Sequence, residues 1–442
     1  MNVYDLINKD IKCSCGRVHR CNISGLKIGA DALAELPELV AGYAHVLVAA
    51  DWNTAPLASD RVCALLGEKL ERLCLFGQKT SPAADGDKAA ERLVPDEERV
   101  EELRGYLTEK TDLVLGIGSG VINDLCKYVA FYAGIRSGIV ATAASMDGYA
   151  SSGAAMIIKG MKVTVTVNAP DIIVGDTGLL ATAPDEMSRA GYADIIGKYS
   201  SLNDWKLSAL VNGEYICPEI VNIVKESTDE IRALAPEIAA RTPEALGKLM
   251  EILVLVGCCL TLTGTTRPGS GSEHHLSHFF EITGLIHGEP YFIHGIDVGY
   301  STVETARMRE TIRKIGKPVF SRLSDDLRIE NCRRIFGSYA DEVMSLQTAA
   351  GRYANTVPEK LYSEKWPDVV KILSECPTAD EITEMLTAVG FDMSEFQKMY
   401  RKDKIKDSTY FAKDLKDRYS VLWLYYDLFS EKTIVKRSSR SF

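Results

Sequence analysis

The chain has 442 residues, 46% hydrophobic and 25% charged, enough to bury the cores of two or three soluble domains. Its formal net charge is -10 with no long basic run, which argues against nucleic acid as a partner and leaves an anionic substrate dependent on a local basic pocket or helix N-termini. Eleven cysteines, an odd number, follow a start (MNVYDLINKDIKCSC) without the apolar stretch of a signal peptide, so reduced thiols in a cytoplasmic protein are expected.

In chain order, the first stretch with chemistry in it is CSCGRVHRC. Cys13, Cys15, His19 and Cys21 are a candidate zinc set. However, CxC followed by a distant histidine is a poor match to zinc spacing, and a strand or turn of buried thiols is the favoured reading. HVLVAAD (45–51), RLCLFG (72–77), DLVLGIGSG (112–120) and SGIVATAAS (137–145) then read as buried parallel strands. Helical patterns at 60–70 and 96–110 separate the first three, and this alternation predicts a mostly parallel sheet covered by helices. AAMIIKGMKVTVTVN (154–168) reads as a hairpin turning at KGMK, and DIIVGD (171–176) closes the region.

From Pro184 onward the pattern is helical: 185–203, 220–239, 243–263, 298–315, 329–353, 367–374, 379–389 and 413–429. The most apolar run, 252–262, is too short to span a bilayer and predicts a buried helix, so no membrane association is expected. The tail EKTIVKRSSRSF is basic and polar and is expected to fray. The expected architecture is an α/β dinucleotide-binding domain over 1–183 with a Rossmann-like sheet. An all-helical domain over 184–442, binding metal and substrate, follows it.

GIGSGVINDLCK (116–127) follows a strand and opens a helix. Glycines at 116, 118 and 120 let backbone approach a phosphate, and the helix start offers free N–H groups. The spacing is not GxGxxG, because Ile122 and Asn123 stand where the last glycine belongs, and the turn follows the third strand rather than the first. Dinucleotide binding is favoured over a turn without ligand. Asp51, at the end of the first clear strand, can accept both hydroxyls of an adenine ribose or cap the following turn, and the residues alone do not separate these.

Five of the seven histidines, His274, His275, His278, His287 and His294, lie within twenty-one residues. Neutral imidazole is the commonest side-chain metal ligand, so a metal-centred site is expected. On a helix His274 and His278 share a face, while His275 points about 100° away. HHLSH lacks the glutamate of HExxH, which disfavours a zincin protease. His294 opens HGIDVG, where Gly295 leaves room beside a ligand. Two histidines need a further ligand, and a carboxylate from elsewhere is the economical choice. His275 and His287 are expected not to be ligands.

These blocks together resemble one family. GSGVINDLCK, TAASMDGYAS (142–151), APDEMSRAGYADIIGK (183–198), RPGSGSEHHLSH (267–278) and HGIDVG (294–299) occur in the order seen in sn-glycerol-1-phosphate dehydrogenases. Those enzymes share a superfamily with glycerol dehydrogenase, iron-containing alcohol dehydrogenase and dehydroquinate synthase. CSCGRVH (13–19) looks like the bacterial branch, and the resemblance spans roughly residues 10–310.

The resemblance implies Asp194, His274 and His294 as metal ligands, with zinc or nickel favoured over iron. It implies His278 and Asp147 as catalytic residues touching substrate, with Asp194 also close to it. Asp51, Gly118, Gly120, Val121, Ile122, Asn123, Asp124, Thr142, Ser145 and Ser151 are implied as dinucleotide contacts, for NAD or NADP. Ile117, where relatives often carry glycine, is expected to point away from the phosphates. Lys198 and Arg267 are candidates for the substrate phosphate because they lie in the matching blocks. The implied reaction reduces dihydroxyacetone phosphate to sn-glycerol 1-phosphate, a step of phospholipid metabolism, in a homodimer. Rival readings are a glycerol dehydrogenase, a dehydroquinate-synthase-like cyclase of the same fold, and a non-catalytic nucleotide- or metal-binding protein.

Overall fold

The computed structural model describes residues 2–77, 93–353 and 357–438. Its contacts group the chain into two units, Met1–Ile195 with Ala233–Thr266, and Ile196–Arg232 with Arg267–Phe442. This grouping differs from the expected division at 183/184, because the helices Asp185–Ile196 (up to Ile195) and Pro243–Thr263 go with the sheet. Close packing holds them there. A Cβ on Gly191 would sit 2.1 Å from the Ala144 carbonyl oxygen, and one on Gly257 would sit 2.5 Å from that of Asp147.

The first unit begins with a short hairpin, β1 (Ile11–Lys12) and β2 (Val18–His19). A six-stranded parallel sheet follows: β3 (Gly25–Gly29), β4 (Val46–Asp51), β5 (Leu70–Phe76), β6 (Leu113–Gly118), β7 (Arg136–Ala141) and, after an antiparallel pair β8 (Gly153–Ile158) and β9 (Met161–Thr166), β10 (Ile172–Asp176). Its order is β3-β10-β7-β6-β4-β5. β6 and β10 are buried along their whole length and β4 almost so, which is why they read as continuous apolar runs in the sequence. β3 escapes that reading because GLKIG is short and bounded by glycine.

The order matters for function. From β4 the chain goes outward to the edge strand β5, then returns to β6 on the other side of β4 and proceeds through β7. Such a reversal opens a crevice beyond the carboxyl ends of the two strands that flank it, the usual ligand position in open α/β sheets. Asp51 ends β4 and Gly118 ends β6.

Pro243–Thr263 is the one helix, among the described residues, long and apolar enough to cross a membrane, and 83% of its most apolar window is buried. It is the core helix expected from the run 252–262. The second unit is helical, around a core that includes Leu207, Ile312, Trp366, Val369, Trp423 and Leu424.

Several expected helices are divided. The stretch expected as 185–203 is Asp185–Ile196 and Lys198–Asn212, parted at Gly197. The helix expected at 413–429 starts at Val421, since Lys416 is extended (φ -143°, ψ 143°). The tail expected to fray continues this helix through Ser438, and 439–442 lie outside the described residues.

Candidate active site

Helix Ser272–His287 carries His274 and His278, and the next helix, His294–Arg313, starts with His294. The three rings converge. Centroids are 5.0 Å apart for His274 and His294, 5.4 Å for His278 and His294, and 6.1 Å for His274 and His278. The other two histidines of the run do different work. His275 is fully buried with neither ring nitrogen hydrogen-bonded; burial, with the charges of Lys416, Arg418 and Arg267, drives its pKa well below the ordinary value and keeps it neutral. His287 Nε2 lies 2.8 Å from the Ile335 carbonyl oxygen and ties down the end of the helix.

The start of the histidine helix is held in place by buried charge. Gly271 permits a tight approach, since a Cβ there would lie 2.7 Å from Ser201 Cα. Asp204 accepts the Ser272 amide at 2.7 Å and pairs with Arg309 at 2.8 Å. Glu273, wholly buried, lies 2.8 Å from His274 Nδ1 and accepts the Gly271 amide at 2.7 Å. Burial alone would raise the Glu273 carboxyl; the hydrogen bond and charge of His274, with Ser200 and the Gly271 amide, instead hold it down at about 2. An ionised Glu273 fixes the proton of His274 on Nδ1 and leaves Nε2 as a lone-pair donor, the arrangement that orients metal-ligating histidines.

Asp194 lies on helix Asp185–Ile196, fully buried, and its Oδ2 accepts the Asp147 amide at 2.9 Å. Gly191, three residues earlier on this helix, lets it press against Ala144. Asp194, in the first unit, and His274 and His294, in the second, each offer a buried or half-buried ligand atom of the kind a divalent ion takes.

The residues expected to hold a dinucleotide gather at the ends of β4 and β6. Asp51 Oδ1 accepts the Asn53 and Thr54 amides, both at 2.8 Å, and Thr54 Oγ1 donates to the Ile117 carbonyl at 2.8 Å, lacing the two strand ends together. Ile117 itself is buried in the sheet core. Gly116 and Gly118 have a packing reason for being glycine: added Cβ atoms would come within 2.9 Å and 2.6 Å of Ile122. Gly120 and Val121 open the helix Gly120–Ala133 half-buried, while Thr142, Ser145 and Ser151 are buried beside it.

Asn123 and Asp124 brace a neighbouring segment. Asn123 Nδ2 donates to the Gly148 carbonyl at 3.3 Å, and Asp124 accepts the Ala155 amide at 3.0 Å while pairing with buried Lys127 at 2.9 Å. Lys127 also donates to the carbonyls of Gly148, at 3.0 Å, and Gly153. Sequence reasoning missed Lys127 and Glu273; each stands beside a residue it did single out, three after Asp124 and one before His274.

The two candidate phosphate partners are buried. Lys198 Nζ donates to the Gly269 carbonyl at 2.9 Å. Arg267 is 2% exposed and makes a two-pronged pair with Glu214 at 2.7 Å and 2.5 Å, with a third bond to the Tyr419 carbonyl at 2.8 Å. This places Arg267 in the scaffold, its guanidinium balanced by a carboxylate.

Comparison with known proteins adds the following. The family model for iron-containing alcohol dehydrogenase matches residues 27–184. A glycerol-1-phosphate dehydrogenase [NAD(P)+] of Bacillus licheniformis is 35% identical over 295 residues, 66% of this chain and 72% of the relative. One of Halalkalibacterium halodurans is 33% identical over 322 residues, 70% and 78% of the two chains. Among solved structures, an iron-containing alcohol dehydrogenase of Corynebacterium glutamicum superposes with a TM-score of 0.60 at 14% identity, over 95% of this chain and 96% of the other, a likeness of fold.

Proposed function

The chain belongs to the glycerol-1-phosphate dehydrogenase family, and on that premise we propose that it is an NAD(P)- and divalent-metal-dependent oxidoreductase reducing dihydroxyacetone phosphate to sn-glycerol 1-phosphate. The observation that carries this reading is the convergence of the His274, His278 and His294 rings, with centroids 5.0 Å, 5.4 Å and 6.1 Å apart, and Asp194 is proposed as the carboxylate ligand. Two imidazoles and a carboxylate suit zinc, nickel or iron and leave positions for substrate; zinc or nickel is our choice. When bound, the ion supplies Lewis acidity at the ketone oxygen and the nicotinamide supplies the hydride.

The chain's own residues do the rest. Asp194, His274 and His294 hold the ion, with Glu273 fixing the tautomer of His274. His278, on the same helix face as His274, holds the proton that the ketone oxygen takes up. Asp147, its amide anchored on Asp194, orients a substrate hydroxyl. The dinucleotide lies along Gly118 to Asp124 with Thr142, Ser145 and Ser151, a placement supported by the strand reversal at β4 and β6. Asp51 disfavours a 2′-phosphate and so favours NAD. Lys198 is the cation proposed for the substrate phosphate.

The test is incubation of the protein with dihydroxyacetone phosphate and NADH, followed by chiral analysis of the product. The expected outcome is stoichiometric NADH oxidation and sn-glycerol 1-phosphate. The opposite enantiomer, or turnover with no net NADH consumed as in a cyclase, would contradict the reading.

A further inference from the structure

The two histidine helices, Ser272–His287 and His294–Arg313, are joined by a short loop over 288–293. Gly288 ends the first helix at φ +64°, and the Glu289 amide turns back to the Gly284 carbonyl at 2.9 Å. A Cβ on Gly284 would lie 2.6 Å from the Tyr291 ring, so the loop is pressed against the helix it leaves. Its far end meets Tyr400, which follows helix Met393–Met399 and is 1% exposed. All of these residues belong to the second unit.

Tyr400 touches both helices and the loop between them. Its ring stacks on Phe280, two residues after His278, with centroids 4.1 Å apart and planes at 12°. Its hydroxyl oxygen accepts the Phe292 amide at 3.2 Å, two residues before His294. The same hydroxyl lies 2.8 Å and 2.9 Å from the two carboxylate oxygens of Asp297, three residues after His294, and donates its proton there. Asp297 is buried in the first turn of the His294 helix, where the free amides favour a negative side chain. Burial and the Asp297 charge push the Tyr400 hydroxyl pKa up, which keeps it a donor. Four residues further on, Lys404 pairs with Glu289 of the loop at 2.8 Å.

Resting on the metal reading above, we propose that Tyr400 is a positioning residue for the ion site: it locks the His294 helix against the helix of His274 and His278 and so sets the separation of the imidazoles. Ligand side chains must be held to within about 0.5 Å, and residues whose own rotamers are locked by packing and hydrogen bonds do this. Tyr400 is such a residue, stacked on Phe280, bonded to Phe292 and Asp297, and buried. Removing its hydroxyl takes a donor from the buried Asp297 carboxylate and an acceptor from the Phe292 amide, on either side of His294, so the first turn of that helix loosens. The blocks that carry the family resemblance end at residue 299. Tyr400 stands a hundred positions beyond them, which gives the C-terminal region a part in the site that its sequence does not announce.

The experiment measures zinc affinity of the full-length protein by competition with a chromophoric chelator, with NADH affinity alongside. Wild type and His294→Ala define the site, and Tyr400→Phe and Asp297→Asn test the clamp. Tyr400→Phe keeps the stacked ring and removes the hydroxyl. We expect it to bind zinc about tenfold more weakly, with NADH affinity and far-UV circular dichroism as in wild type. Asp297→Asn leaves a weaker acceptor for the same hydroxyl and should lose about threefold in zinc affinity; it decides alone should Tyr400→Phe not fold. Zinc held by the folded variant as tightly as by wild type would overturn the proposal and leave the metal site standing. An equal loss of NADH affinity would mark a general loosening and overturn it too. Wild type that binds no zinc, or His294→Ala that binds it as tightly as wild type, would instead overturn the metal reading and the proposal with it.

Discussion

Glu273 illustrates how much of the site lies one bond behind the expected ligands. Its carboxylate is buried and held ionised by His274, so it both orients the ring and strengthens it as a donor. Glu273→Gln keeps the shape and removes the charge. The expected result is a metal affinity lower by about 10–100-fold, read by competition with a chromophoric chelator, with the fold unchanged by circular dichroism. Unaltered affinity would remove Glu273 from the account. Lys127 is the corresponding residue near β6. Lys127→Met strands the Asp124 carboxylate in the interior and should cost about 3–5 kcal/mol in urea unfolding, whereas adding Asp124→Leu should recover part of that loss. Residues of this kind are poorly legible in sequence, because a glutamate or a lysine on a helix usually faces solvent and only the fold buries these two.

The turn after β4 combines a structural and a chemical role in one side chain. Asp51 caps the Asn53 and Thr54 amides, and the same carboxylate is proposed to meet the adenine ribose. Asp51→Asn preserves a capping oxygen and deletes the charge. It should leave stability within about 0.5 kcal/mol, yet lower the ratio of kcat/KM with NADH to that with NADPH. Asp51→Ala should in addition lose about 0.5–2 kcal/mol of stability, the value of a lost cap. The helix that bears Asp194 offers a second test. Gly191→Ala drives a methyl group into the Ala144 carbonyl, so it should destabilise by about 1–3 kcal/mol and weaken metal binding by shifting Asp194.

At this same scale the parallel strands were legible, because strands buried on both faces are continuous apolar runs; β4, β6, β7 and β10 appear within a few residues of their expected limits. Helix breaks were not. Gly197 parts two helices with an ordinary helical φ of -54°, and the expected helix from Pro367 extends back to Glu359 straight through the proline. Periodicity carries across such joints unchanged, so only packing reveals them.

Across the whole chain, the histidine run, the glycine turn and the block APDEMSRAGYADIIGK point to a metal-dependent dehydrogenase from sequence alone, and the family relationship agrees. The limits of that reading fall where partners are distant in sequence: Glu214 on Arg267 and Asp204 on Arg309. The central proposal is one divalent ion held by Asp194, His274 and His294 and required for ketone reduction. The most direct measurement strips the protein with chelator and titrates zinc or nickel back while recording bound metal and NADH oxidation by dihydroxyacetone phosphate together. The account predicts no activity in the stripped protein, recovery in proportion to one ion per chain, and neither binding nor recovery when His294→Ala is added. Full activity in protein shown to be metal-free would contradict it.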